Sequence, residues 1–130
     1  MAERTIISAE TKWEDIVGYS RAVKVNNLIE VSGTAAVNNK GIIIGKGNAY
    51  EQTNFILEKI KMTLESLGSG MKDVVRTRIY VTDISKWVDI GKAHGKFFKD
   101  IKPATSMIEV KSLIDPEMIV EIEATAIKTQ

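Results

Sequence analysis

The sequence predicts a single α+β domain: a mixed β-sheet covered on one face by two helices. Three observations predict it. Four stretches, 21–33, 74–81, 103–110 and 118–127, alternate between apolar and polar residues, and in an extended strand successive side chains go to opposite sides. Two others, 49–67 and 87–98, carry apolar residues at helical spacing. The order along the chain is strand, hairpin, helix, strand, helix, two strands, which packs most simply with both helices on one side of one sheet.

Residues 4–8 read as a short strand, followed by a polar entry at 9–15 that contains Trp13. The hairpin turns at Asn26-Asn27, since Asn tolerates the positive φ of tight turns. A two-residue turn sets the register, with Val25 facing Leu28, Val23 facing Glu30 and Arg21 facing Ser32 on one side. Residues 38–47 are glycine-rich and form a loop or frayed hairpin around Ile42-Ile43-Ile44. Asn48 and Glu51 have capping-box spacing, so a helix starts there, and Gly68 stops it. Its buried stripe is Ala49, Thr53, Ile56, Ile60, Leu64 and Leu67.

Strand 74–81 puts Val75, Thr77, Ile79 and Val81 on one side and Val74, Arg76, Arg78 and Tyr80 on the other. The second helix is capped by Asp83 or Ser85 and carries a stripe of Trp87, Ile90, His94, Phe97 and Phe98, with Gly91 permitting a close approach. Ser106, Ile108 and Val110 then share one face of a strand and Thr105, Met107 and Glu109 the other. In the last strand Met118, Val120, Ile122, Ala124 and Ala126 form an apolar row. The opposite row mixes Ile119 and Ile127 with Glu121 and Glu123, which suits a face half-buried against another subunit and walling a site.

At 130 residues one domain, 1–130, accounts for the chain and buries ~two-thirds of its unfolded surface. Lys plus Arg number 18 against 17 Asp plus Glu, so no bulk attraction draws the chain to nucleic acid or an anionic membrane. Without cysteine there is no disulfide, thiolate metal site or Cys nucleophile. No apolar run approaches a membrane span, and 1–4 lack the apolar segment of a signal peptide, so a cytoplasmic protein without cofactor or metal is expected. The glycines of 41–47 do not have phosphate-loop spacing. His94, the single histidine, sits on a helical stripe and reads as a core-edge residue.

Several pieces, weak alone and specific in this order, resemble the YjgF family, also called the reactive intermediate deaminase (Rid) family. They are Gly18-Tyr19-Ser20-Arg21-Ala22-Val23, Val31-Ser32-Gly33, Gln52-Thr53, Asp73-Val74-Val75-Arg76-Thr77, Val81-Thr82-Asp83, Phe97-Phe98, Pro103-Ala104-Thr105-Ser106 and Glu121-Ile122-Glu123-Ala124. The resemblance implies a chorismate-mutase-like domain forming a homotrimer with clefts between subunits. In the family's deaminase branch an arginine in a Pro-Ala-Arg-Ser segment grips the carboxylate of a 2-imino or 2-enamino acid, and a glutamate in the Glu-Ile-Glu-Ala strand helps activate water. Here Thr105 stands at the arginine's place, and Gly91 where the branch tends to have asparagine. A hydroxyl cannot supply a guanidinium's charge.

The resemblance implies Glu121 as acid or base, against a plain cross-strand pair with Arg76 or Arg78. Tyr19, Ser32, Gly33, Thr105 and Ser106 are the implied ligand contacts. Arg21, opposite Ser32, either replaces the missing cation or pairs with Glu30. A homotrimer binding a small polar or anionic metabolite is the expectation, with no nucleic-acid or membrane partner. Imine or enamine deamination comes second, and RNA cleavage third.

Overall fold

The computed structural model describes residues 3–129; Met1, Ala2 and Gln130 of the expected 1–130 domain lie outside the described residues. The elements are β1 (Arg4–Ile7), α1 (Glu14–Val17), β2 (Ala22–Val25), β3 (Leu28–Ala35), α2 (Ala49–Ser66), β4 (Val74–Val81), α3 (Trp87–Phe98), β5 (Ala104–Glu109) and β6 (Val120–Ile127). The strands form one sheet in the order β1-β2-β3-β6-β4-β5. β4 and β5 are parallel and every other pair is antiparallel. That single parallel pair needs a crossover, and α3 supplies it. The fold is the expected α+β arrangement.

Ile29, Val31, Ile79, Val81, Ile122 and Ala124 of the sheet meet Ile56, Ile60 and Leu64 of α2 and Ile90 and Phe98 of α3 in one core. The opposite face carries Val23, Glu30, Ser32, Arg78 and Glu123, which border a shallow hollow of about 300 Å³. The hairpin has the expected register, Val25 to Leu28 and Val23 to Glu30, with Asn26 at φ 55°. The loop after β3 is the expected frayed hairpin, with one bridge between Val37 and Ile43.

Asn48 caps α2, its side chain accepting from the Glu51 amide, and Gly68 follows the helix at φ 77°. The buried face of α2 is wider than the expected stripe, adding Gln52, Leu57 and Thr63, because this helix packs on α3 as well as on the sheet. Gln52 is fully buried and satisfied: its amide donates to the Glu117 carbonyl at 2.9 Å and accepts from the Ile119 amide at 3.0 Å.

Three expectations are corrected. A bulge between Val74 and Arg76 turns Val74 into the core and leaves Val75 44% exposed, the reverse of strict alternation. Trp87 is 58% exposed rather than part of the α3 stripe, because Ile84–Lys86 form a 3₁₀ turn capped by Asp83 and α3 begins only at Trp87. Gly91 permits no close approach, since a side-chain carbon there would meet no atom within 4 Å. The polar entry at 9–15 runs into the one-turn helix α1, closed by left-handed Gly18, with no buried residue.

Candidate functional site

A second bulge, between Val31 and Thr34 of β3, sets Ser32 and Gly33 against β6 where one residue would ordinarily stand. Gly33 thereby lies over the Glu121 side chain, whose Oε2 would be 2.6 Å from any side-chain carbon added at Gly33. Only glycine leaves the carboxylate its place. Burial pushes the Glu121 carboxyl up from its ordinary value, the Arg21 guanidinium opposes that shift, and Glu123 adds to it.

Arg21 lies at a bend just before β2 and is buried, with Nη2 donating to the Gly33 carbonyl at 2.7 Å. It does stand opposite Ser32, whose amide donates to the Arg21 carbonyl at 3.0 Å. Strand alternation does not hold at the bend. The side chain lines a cavity against α2 instead of the hollow on the open face, so the expected orientation toward that face is corrected. Nor does it pair with Glu30, which accepts from Thr125 at 2.5 Å.

The cross-strand partner expected for Glu121 is corrected too. Tyr80 stands opposite Glu121, while Arg78 faces Glu123 and Arg76 faces Thr125. The nearby cation is Arg21. Tyr80 donates to Glu123 at 3.2 Å.

Tyr19 and Ser32 hold the segment around this corner in place. The Tyr19 hydroxyl is hydrogen-bonded to Thr11 at 2.6 Å, and Ser32 donates to the Ser20 carbonyl at 2.6 Å.

Thr105 and Ser106 occupy a different part of the sheet, on edge strand β5. Ser106 accepts from Arg76 at 2.8 Å. The Thr105 hydroxyl donates to the Pro103 carbonyl at 3.1 Å and lies 2.8 Å from that of buried Thr77, which in turn lies 2.9 Å from His94 Nε2. With the proton on Nε2, donation runs one way from His94 through Thr77 and Thr105 to Pro103. His94 also packs on Phe98, with ring centroids 4.6 Å apart, and burial pulls its pKa down. It is the core-edge residue expected. Thr105 has no guanidinium and no uncommitted proton, so it has no charge to offer a carboxylate.

Sequence reasoning missed Lys59, whose ammonium donates to the Val37 carbonyl at 2.9 Å and whose pKa is lowered by burial first and by the Arg21 charge second. A lysine one position before the buried Ile60 of an amphipathic helix looks like an ordinary exposed residue. No sequence signal marks it, because the loop that covers it comes from another part of the chain.

The model of the Endoribonuclease L-PSP family matches residues 9–128. The chain belongs to that family. A RutC family protein of Pyrococcus abyssi is 33% identical over 125 residues, covering 96% of this chain and 98% of its own. The 3-aminoacrylate deaminase RutC of Acinetobacter baylyi is 28% identical, covering 95% and 97%. Among solved structures, a member of the YjgF/YER057c/UK114 family from Mycobacterium tuberculosis superposes with a TM-score of 0.87 at 43% identity, covering 97% of this chain and all of that one. The Endoribonuclease L-PSP match includes both the Glu121 strand and the Thr105 segment. No helix among the described residues is long and apolar enough to cross a membrane.

Proposed function

We propose that this chain is a cytoplasmic homotrimer of the arginine-lacking branch of its family, binding a small polar or anionic metabolite in clefts between subunits. Glu121, Gly33, Ser32 and Tyr19 contribute one wall and a neighbouring subunit the other. Standard 2-imino acid deamination is absent in this reading. The observation that carries it is Thr105, an uncharged side chain at the place of the branch's arginine, whose hydroxyl proton goes to the Pro103 carbonyl rather than to a substrate carboxylate. Arg21 does not substitute: its guanidinium is bonded to Gly33 and lines a different cavity. Its effect on the cleft is to hold the Gly33 carbonyl and to oppose the upward shift that burial gives the Glu121 carboxyl.

Enzymatically generated 2-iminopropionate, followed by pyruvate formation, tests this. The expected wild-type rate equals the buffer rate, and Thr105→Arg raises it. Acceleration by the wild type that disappears in Glu121→Gln would overturn the reading in favour of deamination. In that case Glu121 passes a proton from the water attacking the imine carbon to the nitrogen, giving the carbinolamine, and then passes on the hydroxyl proton, so that the C–N bond breaks and a ketone and ammonia leave. The raised Glu121 pKa favours this second reading, since an acid or base is most useful when poised toward neutrality.

The family's name points to RNA cleavage, but the chain has a net charge of only +1. Nuclease activity that persists in a Glu121→Gln, His94→Ala double variant is expected to be contamination.

A further inference from the structure

Between α2, the 7–13 segment and the 37–43 loop lies a cavity of about 910 Å³, within the size of small-molecule sites. It exists within one chain, on the helix side of the sheet, where α2 packs mainly on β3 and β6. Trp13, Phe55, Met62 and Met118 form much of its apolar lining. Four cations line it as well: Lys12 and Lys40 are exposed, Lys59 is half-buried and Arg21 is buried.

Neither Lys59 nor Arg21 has an ion-pair partner within 4.0 Å among the described residues. Arg21 is 6% exposed, its one hydrogen-bonded side-chain nitrogen meets the uncharged Gly33 carbonyl, and its Nε has no partner. Lys59 has three donors, of which one goes to the uncharged Val37 carbonyl. Glu10, Glu58 and Asp115 also border the cavity, yet the ion pair within 4.0 Å among the described residues is Lys46 with Glu117. Glu121 lies near enough to act on Arg21 electrostatically but forms no ion pair with it within 4.0 Å. Two like charges held partly out of water repel one another, and burial with that repulsion lowers the Lys59 pKa. An anion between them would relieve both costs.

We propose that this cavity is a second ligand site, for a small organic anion whose charged head lies against Lys59 with Arg21 behind it and whose apolar body lies against Trp13, Phe55 and Met62. Apart from Arg21, which stands near both, the site is lined by other residues than those of the Glu121 cleft. Carboxylate and phosphate heads share the required chemistry, whereas an uncharged analogue lacks it.

Calorimetric titration with 3-phenylpropionate, phenyl phosphate and 3-phenylpropan-1-ol tests the proposal, alongside the NMR shift of the Trp13 indole N–H. At least one anion is expected to bind once per chain and move the Trp13 signal, with the alcohol at least ~tenfold weaker. Lys59→Gln is expected to remove that preference, Lys59→Arg to keep it, and Glu121→Gln, which takes away a negative charge near Arg21, to preserve or strengthen anion binding. Should Lys59→Gln prove unfolded by circular dichroism, the anion-against-alcohol comparison and Lys59→Arg still decide. Equal affinity for the alcohol, an unmoved Trp13 signal, indifference to Lys59→Gln, or no binding of either anion at millimolar concentration would each overturn it. Loss of anion binding in Glu121→Gln would overturn it too, assigning the ligand to the cleft.

Discussion

Gly33 and Glu121 are far apart in the chain and inseparable in space. Adding a methyl group at Gly33 puts it 2.6 Å from Oε2, the movable end of a side chain, and Gly33 is not among the positive-φ glycines. Gly33→Ala should therefore displace the carboxylate at a stability cost of under ~1 kcal/mol. Cleft-ligand affinity or imine turnover in that variant is expected to fall with the melting temperature little changed.

Glu121 also links folding to pH. Its folded pKa is raised above the ordinary 4.5, so the native chain keeps a proton that the unfolded chain releases. The stability this confers is present below 4.5 and is lost as pH rises through the raised folded value. Urea unfolding at about pH 4 and about pH 7 should show wild type and Glu121→Gln close together at the lower pH and the variant more stable at the higher.

At the scale of elements, Gln52 couples α2 to the approach of β6. Both ends of its amide meet backbone groups, and the side chain is fully buried. Gln52→Met keeps the volume and orphans the Glu117 carbonyl and the Ile119 amide. A loss of about 2–4 kcal/mol in urea unfolding is expected, from two buried polar groups left without partners. The helical period of 49–67 was visible in the residue pattern, since spacing alone determines which side chains share a face. The role of Gln52 was not, because its partners lie 65 and 67 positions away.

At the scale of the molecule, the sheet face opposite the helices remains uncovered in a single chain. It carries Arg78 opposite Glu123, with Tyr80 bonded to Glu123, and exposed Leu28, Val75, Ile108 and Ile127. Apolar groups among paired charges suit contact with other copies of the chain. Sedimentation should give a trimer for the wild type. Arg78→Glu, which sets like charges on adjacent strands, is expected to shift the distribution toward monomer. A wild type found only as monomer would remove the inter-subunit cleft.

The residue pattern by itself determined the strands and the two long helices, the hairpin register and the core rows of α2 and β6, because each depends on local periodicity and on turn chemistry at Asn26, Asn48 and Gly68. The tertiary structure alone decided where that periodicity breaks. One bulge exchanges Val74 and Val75; another seats Gly33 on Glu121; the bend before β2 turns Arg21 toward Lys59. An inserted residue is set by pairing with a neighbouring strand and leaves no mark on local alternation. So the glutamate was legible as a residue, while the guanidinium and ammonium beside the cavity became legible only once the chain was folded.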